Sequence, residues 1–278
     1  MSQRICSPIV AAWLACLTIL LLVSSATGLF LPPESDFERH ALAELDIFDA
    51  NDSSATRLVI LGDSLMQNAT RQTPTFSDRL TTAGLDVAIV NLAASGRRFS
   101  SYRNILDDVL ATRPDVIVIQ PDLLRGGGPE HEFSIQRRLR TLFPGGTDYS
   151  APYCRSRPRY LPSLISDIPR RVAPSNDAFD DALAFFTEAE SLGVEIFLLS
   201  VPRSTSAEVP TSAHTEAFRQ RVQEALGDRS NLTIGPSLTV GDSEFYCDFA
   251  HLNPAGQQLF LDQLIPKFGA YLETLNTK

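Results

Sequence analysis

Lysine is nearly absent from this chain. Lys267 and Lys278 are the only two, and every other basic residue is an arginine. Acids outnumber bases by 33 to 24, for a formal net charge of −9. That balance excludes a general affinity for nucleic acid or for anionic lipid. Cysteine and histidine are equally sparse, at four each. They form no cluster with ligand spacing, so neither a metal centre nor a cofactor is expected. Cys6 and Cys16 fall in the N-terminal leader, leaving Cys154 and Cys247 as the one pair in the body. A disulfide in an oxidising compartment and two buried thiols are both open readings of that pair. No internal repeat is present. What remains is ordinary for a globular protein: 278 residues, 44% hydrophobic and 21% charged, enough to bury one large core or two small ones.

Charge is also missing locally. No charged residue lies between Arg4 and Glu34, and "IVAAWLACLTILLLV" (Ile9 to Val23) is almost wholly apolar. Such a run reads as a secretory signal peptide or an N-terminal membrane anchor over residues 1–32. Arg4 precedes it while Glu34, Asp36 and Glu38 follow, which puts the N-terminus in the cytosol and the body outside. Ser24-Ser25-Ala26 offers a cleavage site; cleaved and uncleaved leaders both fit. Residues 33–55 form a polar, acidic juxtamembrane segment with one amphipathic stretch, "FERHALAELDIF".

From residue 56 to 278 the chain alternates strand-like and helix-like segments. Apolar strands are expected at Arg57 to Asp63, Asp86 to Leu92, Pro114 to Gln120 and Val194 to Val201, with a short fifth at Leu232 to Gly235. Helices are expected near Phe76 to Ala83, Ser101 to Thr112, Asn176 to Leu192, Ser212 to Leu226, and from Pro254 onward with Asn253 as cap. Near-continuous apolar strands alternating with helices imply a mostly parallel sheet covered on both faces, a three-layer α/β/α doubly wound domain. Residues 125–171 interrupt the rhythm with nine arginines against four acids. They read either as a solvated insertion or as a lid leaving the C-terminal end of the third strand.

Ligands of an open parallel sheet bind outside the carboxyl ends of its strands. Asp63 and Ser64 stand there after the first strand, Ser95 and Gly96 after the second, Gln120, Pro121 and Asp122 after the third, and Arg203 after the fourth. "YCDFAHLNPAG", Tyr246 to Gly256, follows the fifth. Ser64 alone reads equally as a helix cap, and Asp63 as shaping the turn. A nucleophilic serine needs a base, usually histidine, oriented by a carboxylate. His40 lies beside the leader, His131 in the insertion and His214 in a helix. His251, with Asp248 three residues before it, is the one histidine expected at this edge of the sheet.

"GDSL" at Gly62 to Leu65 and "DxxHLNxxG" at Asp248 to Gly256 resemble the first and last blocks of the GDSL/SGNH hydrolase superfamily. The resemblance spans roughly Arg57 to Leu275 without the insertion. It implies Ser64 as nucleophile, His251 as general base and then acid, and Asp248 as its orienting carboxylate. It also implies Gly96 and Ser64 as backbone donors of an oxyanion hole. The third block departs from the family pattern: the asparagine position falls on Pro121, which has no side-chain donor. Gln120 is the nearest carboxamide to substitute, and Arg203 stands as a candidate substrate-binding residue. The implied activity is a serine esterase, exported or membrane-anchored, that hydrolyses O-acyl esters of a saccharide or lipid. An O-acyltransferase with the same triad and a non-catalytic envelope or glycan-binding protein are the alternatives. The expected partners are a small-molecule, lipid or saccharide ester and, with the leader uncleaved, the membrane.

Overall fold

The computed structural model describes residues 13, 16–19, 36–50, 55–70, 76–124, 176–226, 229–248 and 250–275. The leader apart from Trp13 and Cys16–Ile19, the interval 125–175 and Cys154 lie outside the described residues. Among the described residues no helix is long and apolar enough to cross a membrane. The chain divides into two units, Met1–His40 with His131–Thr147, and Ala41–Glu130 with Asp148–Lys278. In the first unit the described residues are helical. All that follows concerns the second; a helix, α1 (Asp36–Ala50), precedes its sheet in the chain.

Five strands form one parallel sheet: β1 (Thr56–Leu61), β2 (Val87–Asn91), β3 (Val116–Ile119), β4 (Glu195–Leu198) and β5 (Leu232–Ile234). Their order is β2-β1-β3-β4-β5. The chain therefore winds one way from β1 to β2 and the other way from β3 onward. The reversal opens a crevice at the carboxyl end of β1, where such sheets place their ligands. Leu58 to Leu61 and all four residues of β3 are buried, as strands covered on both faces must be.

The helices that cover the sheet are α2 (Ser64–Thr70), α3 (Phe76–Thr82), α4 (Leu106–Ala111), α5 (Asn176–Ser191), α6 (Thr205–Leu226) and α7 (Pro254–Leu275). On one face, Leu58, Ile60, Val116, Val118 and Phe197 pack against α7 through Phe260, Leu264 and Phe268. Phe268 lies 5.6 Å from Phe76 and 5.0 Å from Phe197, centroid to centroid. Each such pair adds about 0.5–1.5 kcal/mol beyond its area burial. α7 is thus fastened to α3 and to the sheet, and its N-terminal end is held at the crevice.

Several elements differ from the sequence reading. The stretch expected as one helix at Ser101 to Thr112 opens as a 3-10 helix, Phe99–Ile105, before continuing as α4. α6 begins at Thr205 rather than Ser212. Ser204 starts α6 by accepting at its carbonyl from the N–H groups of Ala207 and Glu208 (2.8 and 2.9 Å). α2, which starts directly at Ser64, was not expected as a separate helix.

Candidate active site

Hydrogen bonding continues past the named strands and lays the site out. Leu61, Ile119 and Leu198 are register partners on one rung. Beyond that rung the N–H of Gln120 meets the Leu61 carbonyl (3.0 Å), that of Leu199 meets Ile119 (3.0 Å), and that of Ala94 meets Gly62 (3.0 Å). The segments carrying Ser64, Gly96, Asp122 and Arg203 therefore leave the same sheet edge from adjacent strands.

The turn at Gly62-Asp63-Ser64 is braced from every side. A Cβ on Gly62 would lie 2.3 Å from that of Met66, so only glycine admits the abrupt entry into α2. Asp63 is the cap of that helix. Its Oδ1 accepts from the Leu65 N–H (2.8 Å) and its carbonyl accepts from Gln67 (2.9 Å). Ser64 is consequently the first helical residue, with its side chain released from capping. The cap reading of "GDS" is settled in favour of Asp63.

His251 and Asp248 come from a single loop closed by an antiparallel bridge between Tyr246 and Leu252 and by the Cys247 N–H on the His251 carbonyl (2.8 Å). Cys247 is disulfide-bonded. Asn253 caps α7 as expected, through Gly256 N–H to Oδ1 (3.0 Å) and Gln257 N–H to its carbonyl (2.9 Å). The three side chains read from the sequence are brought into line. His251 Nε2 lies 2.9 Å from Ser64 Oγ, and its Nδ1 lies 2.7 Å from Asp248 Oδ2. Asp248 Oδ1 accepts from the N–H groups of Ala250 and His251, both at 2.8 Å. Burial would push this carboxyl up, but the His251 hydrogen bond and charge, with those two N–H groups, hold it below its ordinary value. Asp248 is therefore a carboxylate whose two oxygens have separate tasks, one fixing the loop and one fixing the imidazole.

Gly96 sits in a turn at φ 72°, a left-handed conformation that disfavours any side chain. Among the described residues, neither its N–H nor that of Ser64 meets an acceptor. Two backbone donors are thus left, one beyond the end of β1 and one beyond the end of β2.

Gln120 is not brought to the crevice. It is wholly buried beneath the turn, and its Oε1 accepts from the Asp63 N–H (2.9 Å). Its Nε2 is buried and meets no acceptor at hydrogen-bonding geometry, though its dipole favours the charged form of Asp63. An amide sealed from solvent cannot reach a substrate oxygen, so the substitution expected of Gln120 is replaced by a scaffolding role. Arg203 donates through Nη2 to Asp122 Oδ1, and its own backbone N–H meets Glu208 (3.0 Å). Asp63 faces this pair. Burial and the charge of Asp122 raise its pKa, partly offset by the Leu65 N–H, Arg203 and Gln120.

One group at the site was missed in the sequence. Tyr102, fully buried in the 3-10 helix, donates its hydroxyl to the Gly62 carbonyl (2.6 Å), receives the Gly62 N–H (3.3 Å) and lies 3.1 Å from the Leu92 carbonyl. It clasps the ends of β1 and β2 together. No local pattern marks it, since a tyrosine in an amphipathic stretch reads as core. Among the described residues no group of histidine, cysteine, aspartate and glutamate could hold a metal ion.

No protein-family model and no curated protein sequence matches the chain. Solved structures do. A GDSL-like lipase of Bacteroides thetaiotaomicron is 13% identical, with 84% of this chain and 98% of that one covered, at a TM-score of 0.44. The esterase EstA of a Pseudoalteromonas species is 15% identical over 78% and 99%, at 0.45. The acetylxylan esterase Axe2 of Geobacillus stearothermophilus is 14% identical over 78% and 95%, at 0.44.

Proposed function

We propose that the protein is a serine esterase that cleaves carboxylic esters through an acyl-enzyme. The observation that carries this reading is the unbroken chain from Ser64 Oγ through His251 to Asp248, at 2.9 and 2.7 Å. Hydroxyl, imidazole and carboxylate in that order constitute an activated nucleophile on any fold.

With Asp248 ionised and accepting from Nδ1–H, Nε2 is the free base of His251 and takes the Ser64 proton. Ser64 Oγ then bonds to the ester carbonyl carbon, and the carbonyl electron pair moves to oxygen. The N–H groups of Ser64 and Gly96 receive that oxyanion. Collapse expels the alcohol, which leaves with the proton from His251. Water repeats the sequence on the acyl-enzyme and returns Ser64. The triad is composed wholly of protein groups, and no step calls on a cofactor.

The leader's charge asymmetry supports a location outside the cytoplasm, secreted or held by the N-terminal segment. There the O-acyl ester of a saccharide or lipid is the substrate class. The test is to treat the full chain with p-nitrophenyl acetate and with a fluorophosphonate probe, mapping the label by peptide mass spectrometry. Turnover with label on Ser64 is expected. Neither turnover nor label on a folded protein would overturn the reading. Adding alcohols to the same assay and measuring ester products gives the partition between hydrolysis and transfer.

A further inference from the structure

Arginine carries five N–H donors, and at Arg203 one nitrogen, Nη2, meets the Asp122 carboxylate. Among the described residues Nε and Nη1 meet no acceptor, and neither is sealed from solvent. The side chain retains 15% of its surface. One edge of this guanidinium is thus tied to Asp122 while the rest of its donor edge stays open at the surface.

Its position says what. Ser64 and Asp122 each stand three residues beyond register partners, Leu61 and Ile119, on neighbouring strands. Neighbouring strands are about 4.8 Å apart. Arg203 leaves the next strand over, β4, and reaches back across the end of β3 to Asp122, close enough for its charge to act on Asp63. The guanidinium thus lies on the β3 side of the Ser64 turn, opposite Gly96 on the β2 side. Asp63 and Glu208 are the further carboxyls whose charge acts on the guanidinium, and among the described residues neither accepts from its side-chain N–H groups. Gln120, the other polar side chain at the end of β3, is sealed beneath the turn.

We propose that Arg203 is a third donor of the oxyanion site, presenting its unused N–H edge to the carbonyl oxygen of the ester as charge develops there. This rests on the esterase reading above. Asp122 is the positioning residue, holding the guanidinium by its far nitrogen so that the free edge faces the serine. No bond to Arg203 forms or breaks. The carbonyl electron pair that moves to oxygen on attack by Ser64 is met by an N–H, and it returns to carbon when the alcohol leaves.

The experiment measures kcat and KM for p-nitrophenyl acetate, and the affinity for phenylboronic acid, which forms a tetrahedral anion on an active-site serine. Wild type, Arg203→Met and Arg203→Lys are compared in the full chain, with thermal unfolding recorded for each. Arg203→Met is expected to lose on the order of a hundredfold in kcat, with KM within about twofold of wild type and boronate affinity falling in parallel with kcat. Arg203→Lys keeps the charge and the Asp122 pair but not the planar second edge, so it is expected to fall between the two. If Arg203→Met does not fold, the lysine variant decides alone. Wild-type kcat in either folded variant overturns the proposal, as does a fall in kcat with boronate affinity unchanged. A wild type inert to ester and probe would overturn the esterase reading itself, an outcome distinct from an active enzyme indifferent to Arg203.

Discussion

Replacing Asp248 by asparagine separates the two tasks of its carboxylate. The amide oxygen can occupy the Oδ1 site and keep both backbone hydrogen bonds, from Ala250 and His251 at 2.8 Å. The amide nitrogen then stands where Oδ2 was, 2.7 Å from His251 Nδ1. Both atoms cannot be donors. Nδ1 must become the acceptor, which moves the imidazole proton to Nε2, facing Ser64 Oγ at 2.9 Å. In that tautomer His251 offers Ser64 a proton instead of taking one. Wrong-tautomer substitutions of this kind cost about 10⁴ in kcat, or about 5.4 kcal/mol of transition-state stabilisation. The fold is spared by comparison: one charge-assisted bond is exchanged for a neutral one, about 1–2 kcal/mol. The assay is steady-state p-nitrophenyl acetate turnover beside urea denaturation. An Asp248→Asn enzyme within tenfold of wild type, or one that unfolds outright, would refute the tautomer argument.

Further outcomes follow from the brace around Ser64. Tyr102→Phe strips the hydroxyl from the buried Gly62 carbonyl and should cost about 1–3 kcal/mol, read by urea denaturation, with kcat falling as the turn loosens. Gly96→Ala meets no steric obstacle but must hold φ 72°. It should lose about 1–2 kcal/mol and lower kcat more than it raises KM. Asp63→Asn keeps the cap oxygen while removing a carboxyl whose pKa is raised. The native chain binds that proton more tightly than the unfolded chain does. Wild-type stability therefore falls as pH rises from the ordinary carboxylate value to the raised one, and stays lower above it. Relative to wild type the asparagine variant should gain stability across that window, and parallel denaturation curves at every pH would count against it. Asp248, held low, acts in the opposite sense. Its contribution is complete above the unfolded value and is lost as pH falls through the depressed one.

How much of this was legible in the sequence depended on range. The apolar strands, the Asn253 cap and the three-residue step from Asp248 to His251 are local patterns, and the structure displays each of them. Ser64 was ambiguous because a serine before a helix serves equally as cap or nucleophile. The ambiguity is resolved only by seeing Asp63 fill the cap. Tyr102 and the Arg203–Asp122 pair were not readable as partners. They meet because β2, β1, β3 and β4 lie side by side in an order that no spacing encodes. Gln120 misled for a related reason: a carboxamide at a strand end can point up to the crevice or down beneath the turn. The Asp63 N–H, donating to its Oε1, decides which.

The base and its orienting carboxylate arrive together on one short loop, whereas the serine lies 187 residues earlier in the chain. On the proposed chemistry, the ribosome releases Ser64 long before anything can take its proton. Through nearly all of synthesis the hydroxyl is as inert as any other alcohol. Activity switches on only when the final segment seats α7 against the sheet, so a chain cut short of Tyr246 would carry the serine without reactivity. The order of emergence thus acts as a safeguard, keeping an acyl-transferring group silent until the domain around it is complete.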